Sequence, residues 1–180
     1  SSILWPWLMA GFEMAGLMLW APLLVNIASF VASVWLIVPF ALKRLAPDGM
    51  HALRAMAVLA LVFLAFNLFG VIFTGMEHSL HVLLCIVAVT RLIDGRYDGL
   101  ALAALVIGPL VRFEGAIILA LGVGAALHDG RWRFALSAIV LSAAAVGAYA
   151  WWLTGMGLPI LPSSVLTKSA ASSSMVDGGG

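Results

Sequence analysis

The sequence predicts an all-α protein: a polytopic transmembrane helix bundle in which a pair of short helices meets at the outer face. Four observations predict it. Hydrophobic residues make up 64% of the chain and charged residues 9%, whereas soluble domains carry about 45–50% and about 25%. Mean hydropathy is +1.15, so lipid is the expected solvent for most of the chain. Apolar runs of near-spanning length alternate with short charged or Gly/Pro punctuation. Lys and Arg fall on alternate loops, so one side of the bundle collects most of them.

Residues 1–20 form the first unit, with Pro6 near its start and Glu13 in an apolar context. They are expected as an outer-face or partly inserted helix leading into Ala21. The start Ser1-Ser2-Ile3-Leu4-Trp5-Pro6 has neither an initiator Met nor a basic region before an apolar stretch. An internal fragment of a longer membrane protein is therefore expected.

Residues 21–154 are the expected transmembrane bundle. The first span, Ala21 to Leu42, stops at Lys43-Arg44, and the second runs from Ala52 to Phe73. Both have about the 20 residues that cross hydrocarbon. A third, Ser79 to Thr90, is shorter and is expected to extend into both flanks. Gly99 to Val111 and Ala116 to Leu127 are short runs on either side of Arg112-Phe113-Glu114-Gly115. At about 1.5 Å per residue each covers roughly two-thirds of the core, which puts the charges between them below the membrane surface. Phe134 to Leu153 is the last long span. Residues 155–180 are expected as an outer loop and flexible tail.

Alternating the spans places Lys43, Arg44, Arg54, Arg91, Arg96, Arg131 and Arg133 together, a side assigned to the cytoplasm. Arg112 and Lys168 fall on the other side, with Glu77. The seven Trp lie mostly near span ends, as interfacial anchors do. No basic patch with interleaved aromatics is present, so nucleic acid is not an expected partner. The single Cys85 lies in an apolar run and implies packing rather than a disulfide or metal knuckle. His51 and His128 are expected in cytoplasmic loops, with Asp94, Asp98 and Asp129 as helix caps.

Ionisable groups in lipid cost about 2.5–3.5 kcal/mol each unless paired or facing a polar cavity. Arg112 and Glu114 fit either a structural salt bridge or an anion site. In the latter the carboxylate orients a guanidinium toward phosphate, helped by the free N–H groups of the helix beginning at Gly115. Thr74-Gly75-Met76-Glu77 spells a capping box, Thr74 as N-cap and Glu77 at the third helical position. Alternatively, Glu77 and His81, four apart, share a helix face that could bind a sugar hydroxyl. With His78 they leave a divalent metal open, although no metal ligand or other cofactor is assigned. In the third segment, Pro159 and Pro162 stiffen a loop ending at Lys168, which is either a snorkelling lysine or a second cation for an anionic head group.

Three motifs in order carry a resemblance: Thr74-Gly75-Met76-Glu77, Arg112-Phe113-Glu114-Gly115, and Leu158-Pro159 through Pro162-Ser163-Ser164 to Lys168. They resemble the bacterial branch of the GT-C membrane glycosyltransferases, the mannosyltransferase-like and arabinofuranosyltransferase-like proteins. Ser2-Ile3-Leu4-Trp5-Pro6 is similar to the SPLW segment of that family. The resemblance spans nearly the whole chain. It departs from the family at Phe113, where Pro is usual, and at Ser163, where Asn is frequent.

The resemblance implies transfer of a sugar from a polyprenyl-phosphate donor to a glycan, lipid or protein acceptor, at the periplasmic or extracellular face of a bacterial plasma membrane. Arg112 would hold the lipid phosphate, with Glu114 orienting it and Lys168 assisting. Glu77 and His81 would line the sugar or acceptor pocket. The family's catalytic acidic residue lies upstream of the SPLW-like segment, so the general base is expected before Ser1 and no activity from this segment alone. A transporter subunit with substrate held between paired short helices, or a non-catalytic membrane scaffold, remains the competing expectation.

Overall fold

The computed structural model describes residues 2–46, 52–65, 67–74 and 76–157, and all the regular structure among them is helical. The helices are α1 (Leu4–Met14), α2 (Ala21–Leu45), α3 (Ala52–Ala65), α4 (Leu68–Ile72), α5 (His78–Ile93), α6 (Gly99–Val111), α7 (Gly115–His128) and α8 (Trp132–Gly155). Of these, α2 and α8 are long and apolar enough to cross a membrane, with 25 and 24 residues. Helices α3, α5, α6 and α7 are apolar but shorter.

The core lies between α5 and α6. Val87 and Ala88 on α5 pack against Ala104 and Leu105 on α6. Leu36 of α2, Ile118 and Leu119 of α7 and Phe134 of α8 close around them. Small residues bring these axes together, since Ala88, Ala101, Ala126 and Ala138 are all fully buried. Large side chains point the other way. Trp35, Leu61, Ile117, Leu121 and Val140 are all more than half exposed.

The continuous span expected over Ala52 to Phe73 is instead broken at Asn67, which adopts a left-handed conformation with φ 48°. Asn enters that region more readily than other non-glycine residues because its short amide bonds locally. A Cβ on Gly70 would strike the Asn67 amide, so the missing side chain at Gly70 makes room for the break. α4 then carries the chain back over α2, where the buried Asn26 Nδ2 donates to the Ile72 carbonyl at 3.1 Å. Asn67→Val is expected to cost about 1–2 kcal/mol, the penalty of forcing a β-branched residue left-handed. A fall in the unfolding midpoint of detergent-solubilised protein checks it, and an unchanged midpoint would argue for an unbroken helix.

The ends of the bundle differ in charge. At one end the Arg44 guanidinium pairs with Asp94 at 2.8 Å and Arg91 with Asp98 at 2.9 Å. Asp98 also caps α6, accepting from the Ala101 amide as expected. Asp94 and Asp129 stand at the C-caps of α5 and α7, while their side chains bind Arg44 and accept from the Tyr97 hydroxyl at 2.7 Å. Arg44 holds the Asp94 carboxyl below the usual carboxylate range, while desolvation and Asp129 push the Tyr97 phenol up to about 12. Lys43, Arg96, Arg131 and Arg133 lie at this same end. Among the described residues, Arg112 is the sole Lys or Arg at the opposite end.

Candidate functional site

Arg112 is placed by a helical hairpin. Its extended backbone, φ −147° and ψ 140°, ends α6, and Phe113 and Glu114 turn the chain into α7. The turn is tight because Gly115 lies directly on the last turn of α6. A Cβ there would collide with the Gly108 carbonyl and the Pro109 nitrogen, both backbone. The hairpin thereby fixes Arg112 over the start of α5.

Four ionisable side chains converge there. Arg112 Nε and Nη2 donate to the two carboxylate oxygens of Glu114 at 3.2 and 3.0 Å, a bidentate pair. Nη1 lies 2.8 Å from His78 Nε2 and 3.6 Å from the Glu77 carboxylate. Glu77 is 6% exposed, whereas the Glu114 side chain is 59% exposed. The Arg112 guanidinium holds the Glu114 carboxyl, in the turn between α6 and α7, below the usual carboxylate range. A guanidinium has five N–H groups, and these contacts leave one on each terminal nitrogen, that of Nη1 beside Glu77.

The capping box is not formed. Thr74 donates its hydroxyl back to the Val71 carbonyl at 2.8 Å, α5 begins only at His78, and Glu77 is the residue before it. Thr74 is thus committed to closing α4, and Glu77 is free to face Arg112. Nor are the first N–H groups of α7 open to an anion: Gly115, Ala116 and Ile117 donate to the carbonyls of Arg112, Phe113 and Glu114. The turn that builds the hairpin consumes them.

His81 comes to the same end, although its side chain does not pair with Glu77. Its Nε2 lies 3.6 Å from Cys85 Sγ, one turn further along α5. No group of three or more His, Cys, Asp or Glu arranged to hold a metal occurs among the described residues. Lys168 and the Pro159–Pro162 loop lie outside the described residues, as does His51.

His78 is the partner that sequence spacing did not assign to Arg112. The two are 34 residues apart, and only the placement of α5 beside the α6–α7 hairpin joins them. The segment Ser2-Ile3-Leu4-Trp5 arrives at the same place. Ser2 Oγ accepts from the Trp5 amide, and the Ile3 amide donates to the Leu110 carbonyl at 2.9 Å, two residues before Arg112. Thus the SPLW-like segment, the Glu77 motif and the Arg112 motif occupy one end of the bundle. Compared with known proteins, the chain matches no family model, no curated protein and no solved structure.

Proposed function

We propose that this chain is a polytopic membrane helix bundle that binds the phosphate of a polyprenyl-phosphate sugar and belongs to a glycosyltransferase acting at the outer face of a bacterial plasma membrane. The observation that carries the reading is the convergence of Glu77, His78, Arg112 and Glu114 beside the Ser2–Trp5 segment, at the end opposite the other basic residues. Lipid as solvent is supported by the outward-facing side chains of α2 and α8, since the core helix of a soluble protein would be mostly buried. Instead 17% of each spanning window is buried. The basic end, with Arg44, Arg91 and Arg131, is the cytoplasmic one by the positive-inside rule.

In this reading Arg112 presents its remaining N–H groups to the phosphate. Glu114, the exposed partner, holds the guanidinium plane. The phosphate leaves with the lipid as the sugar's anomeric bond breaks, and Arg112 stabilises the charge that develops on it. Glu77 accepts from a sugar or acceptor hydroxyl. Removal of the acceptor's proton falls to a base outside these residues.

Arg112→Lys keeps the charge against Glu77 but removes the planar fork. In the full-length protein, with the segment expected before Ser1, it is expected to lower sugar transfer from a radiolabelled polyprenyl-phosphate donor by about 10²-fold or more. Unchanged transfer would remove the phosphate role. Arg112-dependent solute uptake by vesicles, without transfer, would instead support a transporter.

A further inference from the structure

The basic end of the bundle carries charge that the protein does not neutralise. Arg44 and Arg91 pair with Asp94 and Asp98. Among the described residues, Lys43, Arg54, Arg96, Arg131 and Arg133 have no carboxylate partner. A cleft of about 290 Å³ opens at this end, between the loop from α5 to α6 and the turn from α7 to α8. Tyr97, Gly130, Arg131, Trp132, Arg133 and Phe134 line it.

Two contacts build the cleft. The Tyr97 ring meets Phe134 edge-on, with centroids 5.2 Å apart, and its hydroxyl donates to Asp129 at 2.7 Å. Tyr97 thus ties the α5–α6 loop to the α7–α8 turn and engages the carboxylate that adjoins the cleft. On the rim, the Arg133 guanidinium lies over the Trp132 ring, 5.3 Å from its centre, which orients its plane. No acidic residue lies in the first turn of α8 to offset the two arginines. Their two charges against the one carboxylate of Asp129 leave a single positive charge, the complement of one phosphodiester anion. Arginine is also the side chain whose planar fork suits phosphate oxygens.

The surroundings say what carries that phosphate. Trp132, Leu136 and Val140 recur at every fourth residue of α8, and all three are more than half exposed. They form one apolar stripe that leads from the cleft along a helix long and apolar enough to cross a membrane. A free phosphate has no use for such a stripe, whereas acyl chains do. The cleft has room for a small headgroup but not for the chains, which leaves them on the stripe. Trp132 then sits at headgroup level, as interfacial tryptophans do. Anionic phospholipids face the cytoplasm, the side to which the basic end is assigned.

We infer that this cleft binds the phosphodiester headgroup of an anionic phospholipid of the cytoplasmic leaflet, Arg131 and Arg133 donating to the phosphate and Trp132, Leu136 and Val140 carrying the acyl chains. The inference goes beyond the proposed function and rests on its membrane part alone, not on sugar transfer.

Native mass spectrometry of the protein in a non-ionic detergent, titrated with phosphatidylglycerol or phosphatidylcholine, reads the lipid bound per chain. Phosphatidylglycerol is expected to bind at least about tenfold more tightly. Arg131→Gln with Arg133→Gln should weaken it about tenfold or more and leave phosphatidylcholine unchanged. Lys43→Gln with Arg54→Gln removes the same charge at the same end from residues that do not line the cleft. That pair should weaken phosphatidylglycerol by no more than about twofold, because water and salt screen charges outside the site. All four side chains are exposed, so the variants are expected to keep the wild-type unfolding midpoint. Equal losses in the two double variants would mean diffuse attraction to the basic end and overturn the site. Equal binding of the two lipids would overturn the anionic headgroup. Displacement by inorganic phosphate or glycerophosphoglycerol at the lipid's own concentration would overturn the lipid as occupant. A protein that stays dispersed without detergent would sink the membrane reading and the inference with it, whereas unselective lipid binding by a protein that needs detergent would sink the inference alone.

Discussion

Arg112→Ala is expected to destabilise the bundle by about 3 kcal/mol, the lower end of the cost of stripping a buried charge of its partner. The exposed Glu114 contributes little to that figure, because water can solvate its carboxylate once the guanidinium is gone. Glu77 decides the result. It is 6% exposed, and Arg112 is the cation facing it, at 3.6 Å. Without Arg112 its buried charge is stranded, and His78 Nε2 loses its donor as well.

A second substitution separates charge from packing. Glu77→Gln in the Arg112→Ala background removes the stranded charge and should recover about half or more of the lost stability. Adding Glu114→Gln to Arg112→Ala should recover almost none. Unfolding midpoints in detergent read the coupling as a double-mutant cycle. An Arg112→Ala protein as stable as wild type would show that Glu77 does not depend on the guanidinium, and the cluster would lose its electrostatic basis.

Much of the helical order could be read from apolar runs. Asp98 before Gly99, Arg112 after Val111 and Asp129 after His128 punctuate the chain where α6 and α7 begin and end, because charge is costly inside an apolar helix. The grouping of Arg44, Arg91 and Arg131 at one end follows from the same alternation. Asn67 was legible in principle: a polar amide followed three residues later by Gly70 is the pattern that permits a left-handed break. In an otherwise unbroken apolar run, periodicity outweighed it. Thr74 and Glu77 have the spacing of a capping box, yet spacing cannot say where a helix begins, and α4 takes the Thr74 hydroxyl first.

The site was legible by residue type rather than by partner. Glu77, Arg112 and Glu114 are costly residues in an apolar sequence, and that cost marks them. His78 as the arginine's partner depends on a tertiary contact between helices distant in sequence, which no local pattern encodes. The loss of the α7 N-terminus as an anion site is a backbone matter too. It follows from the tightness of the 112–115 turn, and Gly115 is its sequence trace.

Three glycines of α7 should respond to alanine in a fixed order, because each added Cβ meets a different neighbour. At Gly124 it meets nothing within 4 Å, so Gly124→Ala should be neutral or stabilise by about 0.5–1 kcal/mol through helix propensity. At Gly122 it meets the two methyl groups of Leu105 at 2.8 Å. Leu105 is 1% exposed and lies in the core, but its methyls are the far end of a side chain that can rotate. The cost there should be about 1–2 kcal/mol. At Gly115 the obstacle is the backbone of Gly108 and Pro109, which has no rotamer to offer, so Gly115→Ala should cost about 3 kcal/mol, the upper range of overpacking.

The hairpin can accept a Cβ at 115 only by moving α7 away from α6, which carries Glu114 off Arg112 and Arg112 off His78. Gly115→Ala should therefore weaken any phosphate-lipid binding along with stability, whereas Gly122→Ala should affect stability alone. Unfolding midpoints for the three variants check the order, and binding of a prenyl monophosphate to each checks the coupling to Arg112. If Gly115→Ala proved no worse than Gly124→Ala, the close contact between α6 and α7 would be wrong, and with it the placement of Arg112 over α5.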